Sequence, residues 1–326
     1  MILITGGAGF IGSNVVAALA GGLEVAVCDR LGRGDKWRNL ARAELADFVA
    51  PEALFEFLEK NAARIEAILH FGAISTTTET DGDLITQANF GLSLALWDWC
   101  TANETRFIYA SSAATYGDGA MGFDDDGSVD GLARLRPLNL YGWSKHLFDR
   151  RVARLVARDE PRPRQWVGLK FFNVYGPNEY HKGPQRSVAH QLFPNAAAGR
   201  PSRLFRSHHA DYADGGQLRD FIWVGDVVDV VRWLLDNPGV CGLFNVGTGL
   251  ARSFKDLAVA AYAAFGGEPM IVYVDTPVEL RDKYQYFTQA RMERLRASGY
   301  TKPFTSLEDG VTRYLRDHLA APDPYV

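Results

Sequence analysis

Short apolar runs alternate along this chain with longer stretches of helical periodicity, and the alternation predicts a strand–helix repeat from the first residues onward. Residues 1–5 form a continuous apolar run of strand length, residues 10–20 carry a helical period, and residues 23–28 form a second apolar run. Further strands are predicted at 65–71, 106–110, 167–171, 221–224 and 243–246, with helices at 84–102, 139–156 and 226–235. Apolar strands with no polar face are covered on both sides, so the expected class is α/β: a Rossmann-like, doubly wound parallel sheet, with a smaller α/β region towards the C-terminus. Pro177 ends the regular structure that follows the strand at 167–171. The segment 208–216 (His-His-Ala-Asp-Tyr-Ala-Asp-Gly-Gly) has no apolar period and reads as a polar loop.

Composition narrows the function classes. A chain of 326 residues with 47% hydrophobic content can bury a large core and is long for one domain. A net charge of −4 and scattered arginines give no electrostatic case for nucleic acid. No apolar run is long enough for a bilayer, and the apolar start is broken by glycines without a basic leader, so a cytoplasmic protein with no membrane partner is expected. Cys28, Cys100 and Cys241 are odd in number, lie in apolar surroundings and lack metal-ligand spacing. They are expected to be buried free thiols, and no metal site is expected. The histidines and aspartates of the 208–216 loop do not alter that, because nothing fixes their geometry.

The chemistry is concentrated at strand ends. Gly6-Gly7-Ala8-Gly9-Phe10-Ile11-Gly12 joins the first strand directly to the first helix, where backbone amides would face a pyrophosphate. Asp29, at the end of the second strand, stands where an acid reaches an adenosine ribose. Ser112 falls at the carboxyl end of the strand at 106–110, the side on which parallel sheets bind ligands. Tyr141 and Lys145, four apart on one helix, place an ammonium beside a phenol. That neighbour is expected to lower the phenol's pKa and make it a general acid–base. These positions divide the chain into a dinucleotide-binding domain, 1–174 with 220–250 returning to it, and a substrate-binding domain of 175–219 and 251–326.

Gly6-x-x-Gly9-x-x-Gly12 with Ser112, Tyr141 and Lys145 resembles the extended short-chain dehydrogenase/reductase family of NAD-dependent epimerases and dehydratases, over nearly the whole chain. Its members act largely on nucleotide sugars. Ser-Ser-Ala-Ala-Thr-Tyr-Gly at 111–117 and Phe-Asn-Val-Tyr-Gly-Pro at 172–177 are shared widely within it. His181-Lys182-Gly183 and Gln-Tyr-Phe-Thr-Gln-Ala at 285–290 are far more specific and resemble the ADP-glyceromanno-heptose 6-epimerase branch. The resemblance implies an isomerase of lipopolysaccharide precursor synthesis that takes ADP-heptose, oxidises C6 to a transient ketone and re-reduces it on the opposite face. One nicotinamide dinucleotide per subunit would be retained through turnover, in a homo-oligomer. A dehydratase would carry acidic residues beside the serine, where this chain has Ala113 and Ala114. Another sugar-nucleotide epimerase or dehydrogenase, or a non-catalytic dinucleotide sensor, is the alternative.

Residue roles follow from the same matching. Tyr141 and Lys182 would transfer protons, with Lys145 beside the tyrosine and Ser112 orienting the substrate; a phosphate contact is the alternative for Lys182, and a helix cap that for Ser112. Gly6, Gly9, Phe10, Ile11, Gly12, Asp29, Arg30, Lys36, Phe71, Gly72, Ala73, Ile74, Ser75, Asn89, Lys145, Val174 and Lys182 would contact the cofactor. Asp29 favours NAD, whereas Arg30, Arg33 and Lys36 favour the 2′-phosphate of NADP; the reading sides with NADP. Ser112, Asn173, Phe205, Arg206, Ser207, Arg219 and Tyr284 would bind the nucleotide sugar. For Arg219 a salt bridge to Asp220 or another acid is the alternative to a diphosphate. Pro184, Gln191 and Pro51 depart from the branch, standing where a serine, a histidine and a lysine are expected.

Overall fold

A computed structural model describes residues 1–277 and 285–326. In chain order the strands are β1 (Ile2–Thr5), β2 (Val25–Cys28), β3 (Asp47–Val49), β4 (Ala67–His70), β5 (Arg106–Ser112), β6 (Trp166–Phe171), β7 (Asn173–Tyr175), β8 (Ser202–Phe205), β9 (Leu218–Trp223), β10 (Gly242–Val246), β11 (Ala251–Ser253) and β12 (Ile271–Val274). Seven of them form a parallel sheet in the order β10-β6-β5-β4-β1-β2-β3. The strand order reverses at β1, which places a crevice above its carboxyl end, next to β4. β1, β2 and β4 are buried at every position, as their unbroken apolar runs require. The Rossmann-like fold expected from the sequence is the one observed.

Beyond Phe171 the chain leaves this sheet. β7 and β9 pair in parallel, β11 joins β9, and β8 pairs with β12. These lie with a second apolar cluster that includes Tyr175, Leu192, Leu257, Tyr262 and Tyr314. The strand expected at 221–224 therefore starts earlier and belongs to the small sheet, whereas the helix Val224–Asp236 packs on Phe10–Leu19 and β10 rejoins the large one.

The helix expected at 84–102 is interrupted by a π-turn at Thr86–Gly91. The widened turn turns Asn89 inward, where its side chain bonds the Ile74 backbone and Ser93 Oγ donates to its carbonyl at 2.6 Å. Cys28 and Cys100 are buried, and burial pushes both thiols up, Cys28 to about 12. Cys241 is exposed, contrary to expectation, because it lies in the turn that precedes β10. Among the described residues no helix is long and apolar enough to cross a membrane.

Candidate active site

The glycine-rich turn is shaped by backbone contact. Gly6 has φ of +68°, and a Cβ there would lie 2.5 Å from Gly72 N. A Cβ on Gly12 would lie 2.2 Å from Gly6 O, so the helix Phe10–Leu19 can start against the turn only if Gly12 has no side chain. Its N-cap, Gly9, supplies no side-chain acceptor, which leaves the first helical amides available to an anion. The turn opens into a cleft of about 700 Å³.

Gly6, Gly9, Phe10, Ile11 and Gly12 line this cleft, with Asp29 and Lys36 at one end. Asp29 Oδ2 accepts from Ala8 N at 2.9 Å, and Lys36 Nζ lies 2.7 Å from Asp29 Oδ1. Phe71, Gly72, Ala73 and Ser75 line the adjoining wall. A cradle of this kind, made of a helix N-terminus, glycines and an acid at the end of the second strand, fits a dinucleotide.

Ser112, Tyr141 and Lys145 face the same cleft from β5 and the helix Leu140–Ala157. Asn139 caps that helix by accepting from Gly142 N at 2.8 Å, which fixes the turn that carries Tyr141. Burial draws Lys145 down to about 8, against the opposing charge of Asp149. The phenol of Tyr141 is raised, not lowered as its spacing from Lys145 suggests. Burial is the largest cause, a hydrogen bond with Ser112 opposes it, and Asp149 raises it further. Ser112 does two things, since its Oγ also accepts from Ala114 N at 3.1 Å and caps the short turn Ala113–Tyr116.

Asn173, Val174 and Lys182 line the other end of the cleft. The Lys182 ammonium sits 5.4 Å from the centre of the Phe10 ring. It is half-buried, and burial lowers its pKa while Glu179 opposes the shift.

Several expected contacts fall elsewhere. Arg30 is exposed, pairs with Glu52 at 2.5 Å and does not line the cleft. Asn89 is fully buried behind the 72–75 loop: it accepts from Ile74 N at 2.8 Å and donates to Ile74 O at 2.9 Å, so both residues act as braces and not as lining. Phe205, Arg206 and Ser207 follow β8 to its end, where Arg206 meets Asp275 at 3.6 Å and Ser207 N donates to Asp214 Oδ1. They lie outside the cleft lining. Arg219 is buried beside it, donating to the backbone oxygens of Leu218 and Gln285 with its guanidinium 5.6 Å from the ring centre of Phe254. The Asp220 carboxylate accepts from Thr248 N and Oγ1, Gly249 N and Ala290 N. Tyr284 lies outside the described residues.

His181, Gln185, Arg186 and Ser187 also line the cleft, although no contact is expected of them from the sequence. The only signal for them is their place in or after the His-Lys-Gly run. Among the described residues no group of His, Cys, Asp and Glu could hold a metal ion.

A doubly wound parallel sheet with a glycine-rich turn on a helix N-terminus, and Ser, Tyr and Lys meeting above the strand ends, defines a dinucleotide-dependent enzyme of the short-chain dehydrogenase/reductase type. The chain belongs to the NAD dependent epimerase/dehydratase family, which matches residues 2–247. It is 49% identical over 330 residues to the ADP-L-glycero-D-manno-heptose-6-epimerase of Nitratidesulfovibrio vulgaris (strain DP4), with 100% of each chain covered. Among solved structures it is similar to the ADP-L-glycero-D-manno-heptose-6-epimerase of Helicobacter pylori, with a TM-score of 0.78, 29% identity and coverage of 97% and 95%. It is also similar to the UDP-glucose 4-epimerase of Thermus thermophilus in complex with NAD, with a TM-score of 0.75, 26% identity and 97% of each chain covered. Family and cradle agree on a nicotinamide dinucleotide as cofactor.

Proposed function

We propose that this chain epimerises C6 of the heptose in ADP-D-glycero-D-manno-heptose, giving ADP-L-glycero-D-manno-heptose for the lipopolysaccharide core. The observation that carries the reading is full-length identity of 49% to a protein of that name, in a chain whose cleft retains Tyr141, Lys145 and Lys182 together. Gly6, Gly9, Gly12 and Asp29 would hold the dinucleotide, which would supply the hydride acceptor and donor for C6. The protein's own residues handle the protons. For one epimer the Lys182 amine takes the C6 hydroxyl proton as the ketone forms, and the neutral phenol of Tyr141 gives a proton to the carbonyl oxygen as the centre is reduced. The opposite direction exchanges the two roles, and solvent restores the proton balance. Ser112 orients the oxygen between them.

Burial of Lys182 against Phe10 supports an acid–base role over a solvated phosphate contact. NADP is supported by Lys36, whose ammonium stands on Asp29 at the ribose end of the cleft. In this reading residues 1–174 and 220–250 hold the dinucleotide, residues 175–219 and 251–326 hold the sugar, and the protein works as a cytoplasmic homo-oligomer. Incubation with ADP-D-glycero-D-manno-heptose, followed by NMR of the C6 configuration, tests the function. Inversion is the expected result, and unchanged substrate would overturn it.

A further inference from the structure

Asn39 connects the dinucleotide turn to the segment that carries Lys182. It lies near the end of the short helix Asp35–Leu40, which also carries Lys36, and is 2% exposed. Its Nδ2 lies 2.9 Å from Ala8 O in the glycine-rich turn, 3.0 Å from Asn178 O and 3.2 Å from His181 Nδ1. His181 keeps an exposed edge, yet desolvation and the charges of Lys36 and Lys182 hold it down to about 4, so the ring is neutral and can accept from an amide. Nearby contacts grip other points: Asn14 donates to Pro177 O, Asn178 donates to Ser13 Oγ, and Tyr180 donates to Pro324 O.

Lys182 follows His181 directly, and its ammonium lies over the ring of Phe10, two residues beyond the carbonyl that Asn39 holds. The turn is thus tied twice to the 178–182 segment, once through the Lys182–Phe10 contact and once through the Asn39 amide.

We propose that Asn39 is a positioning residue for Lys182, holding the lysine in register with the glycine-rich turn. The proposal rests on the reading of Lys182 as a proton-transfer group. Asn39→Ala removes all three contacts, and Asn39→Asp keeps the shape while removing the donors, so the second variant serves if the first fails to fold. Loss of register by a fraction of an ångström lowers turnover roughly tenfold to a hundredfold. KM for ADP-heptose and bound dinucleotide per subunit stay as in the parent. Lys182 becomes more reactive to a limiting amine-acylating reagent, mapped by mass spectrometry, while the exposed Lys60 labels at its usual rate. Unchanged kcat, a kcat loss that tracks loss of dinucleotide, or unchanged labelling of Lys182 would each overturn the proposal. Lys182→Met separates the underlying reading: if it keeps kcat and raises KM, the proton-transfer role fails even where Asn39 still controls Lys182 labelling.

Discussion

The Lys170 ammonium lies 2.8 Å from Asp149 Oδ2, and neither side chain reaches solvent. Asp149 stands one turn beyond Lys145 on the helix Leu140–Ala157, which also carries Tyr141, and its charge acts on both of those side chains. Asp149 also accepts from Ser111 Oγ at 2.6 Å and Tyr109 Oη at 3.2 Å, and Lys170 donates to Thr115 Oγ1 at 2.6 Å. Every member of the cluster has a partner, the condition under which buried charge is tolerated.

Breaking that pair from one side is expected to be costly. Asp149→Ala leaves Lys170 buried without a counter-charge and should reduce unfolding free energy by about 3–5 kcal/mol in urea titration. Asp149→Leu with Lys170→Met should recover most of the loss. Equal stability of the single variant and the parent would show that the pair contributes nothing.

Acid sensitivity should trace in part to His70. Its Nδ1 is 2.6 Å from Thr5 Oγ1 and its Nε2 is 2.9 Å from Ser93 Oγ, and burial followed by the Lys145 charge lowers it to about 3. The folded value is below the unfolded one, so the unfolded chain binds more protons. The contribution is complete above pH 6.5 and is lost as pH falls towards 3, on the order of 5 kcal/mol in all. His146, His181 and His190 shift in the same direction, each to about 4. Urea midpoints at pH 7 and pH 5 should therefore differ less in His70→Asn than in the parent, and an identical pH dependence would remove His70 from the account.

Proton transfer is divided between Tyr141 and Lys182 in the mechanism proposed above. Tyr141→Phe and Lys182→Met should each abolish epimerisation while substrate affinity, measured by calorimetry, changes little, because the lost interactions belong mainly to the transition state. Near-normal turnover in Lys182→Met would return that lysine to phosphate binding.

Coenzyme choice should turn on Lys36. The enzyme should need no added coenzyme, and denatured protein should release NADP. In Lys36→Ala the ammonium beside Asp29 is gone, and the ratio of NADP to NAD released should fall. An unchanged ratio would place selection elsewhere.

What could be read from the sequence was whatever local spacing encodes. Gly6, Gly9 and Gly12 follow a strand and open a helix, and Tyr141 and Lys145 share a helical face, so the glycine turn and the presence of both side chains at one cleft could be anticipated from spacing read together with the order of strands and helices. Contacts between distant segments were not legible. Asn89 bonds Ile74 across 15 residues, and that bond accompanies the π-turn that interrupts an otherwise regular helical pattern. Asp149 meets Lys170 across 21 residues on different elements. The apolar run of β9 announces a buried strand but not the sheet that receives it. The rise of the Tyr141 phenol escaped for a related reason, since its main cause is burial and only the neighbouring cation is visible in the spacing.

The hydride path supplies the last test. Direct oxidation moves the C6 hydrogen to the dinucleotide and back within a closed cycle, whereas loss of a proton beside a carbonyl would exchange it with solvent. Tyr141 and Lys182 handle only oxygen-bound protons in the proposed mechanism, so neither carries solvent deuterium to carbon. Run to equilibrium in deuterium oxide, the reaction should give product with protium at C6, read by NMR. Deuterium at that carbon would refute oxidation and re-reduction on a retained dinucleotide and would require a carbon acid in its place.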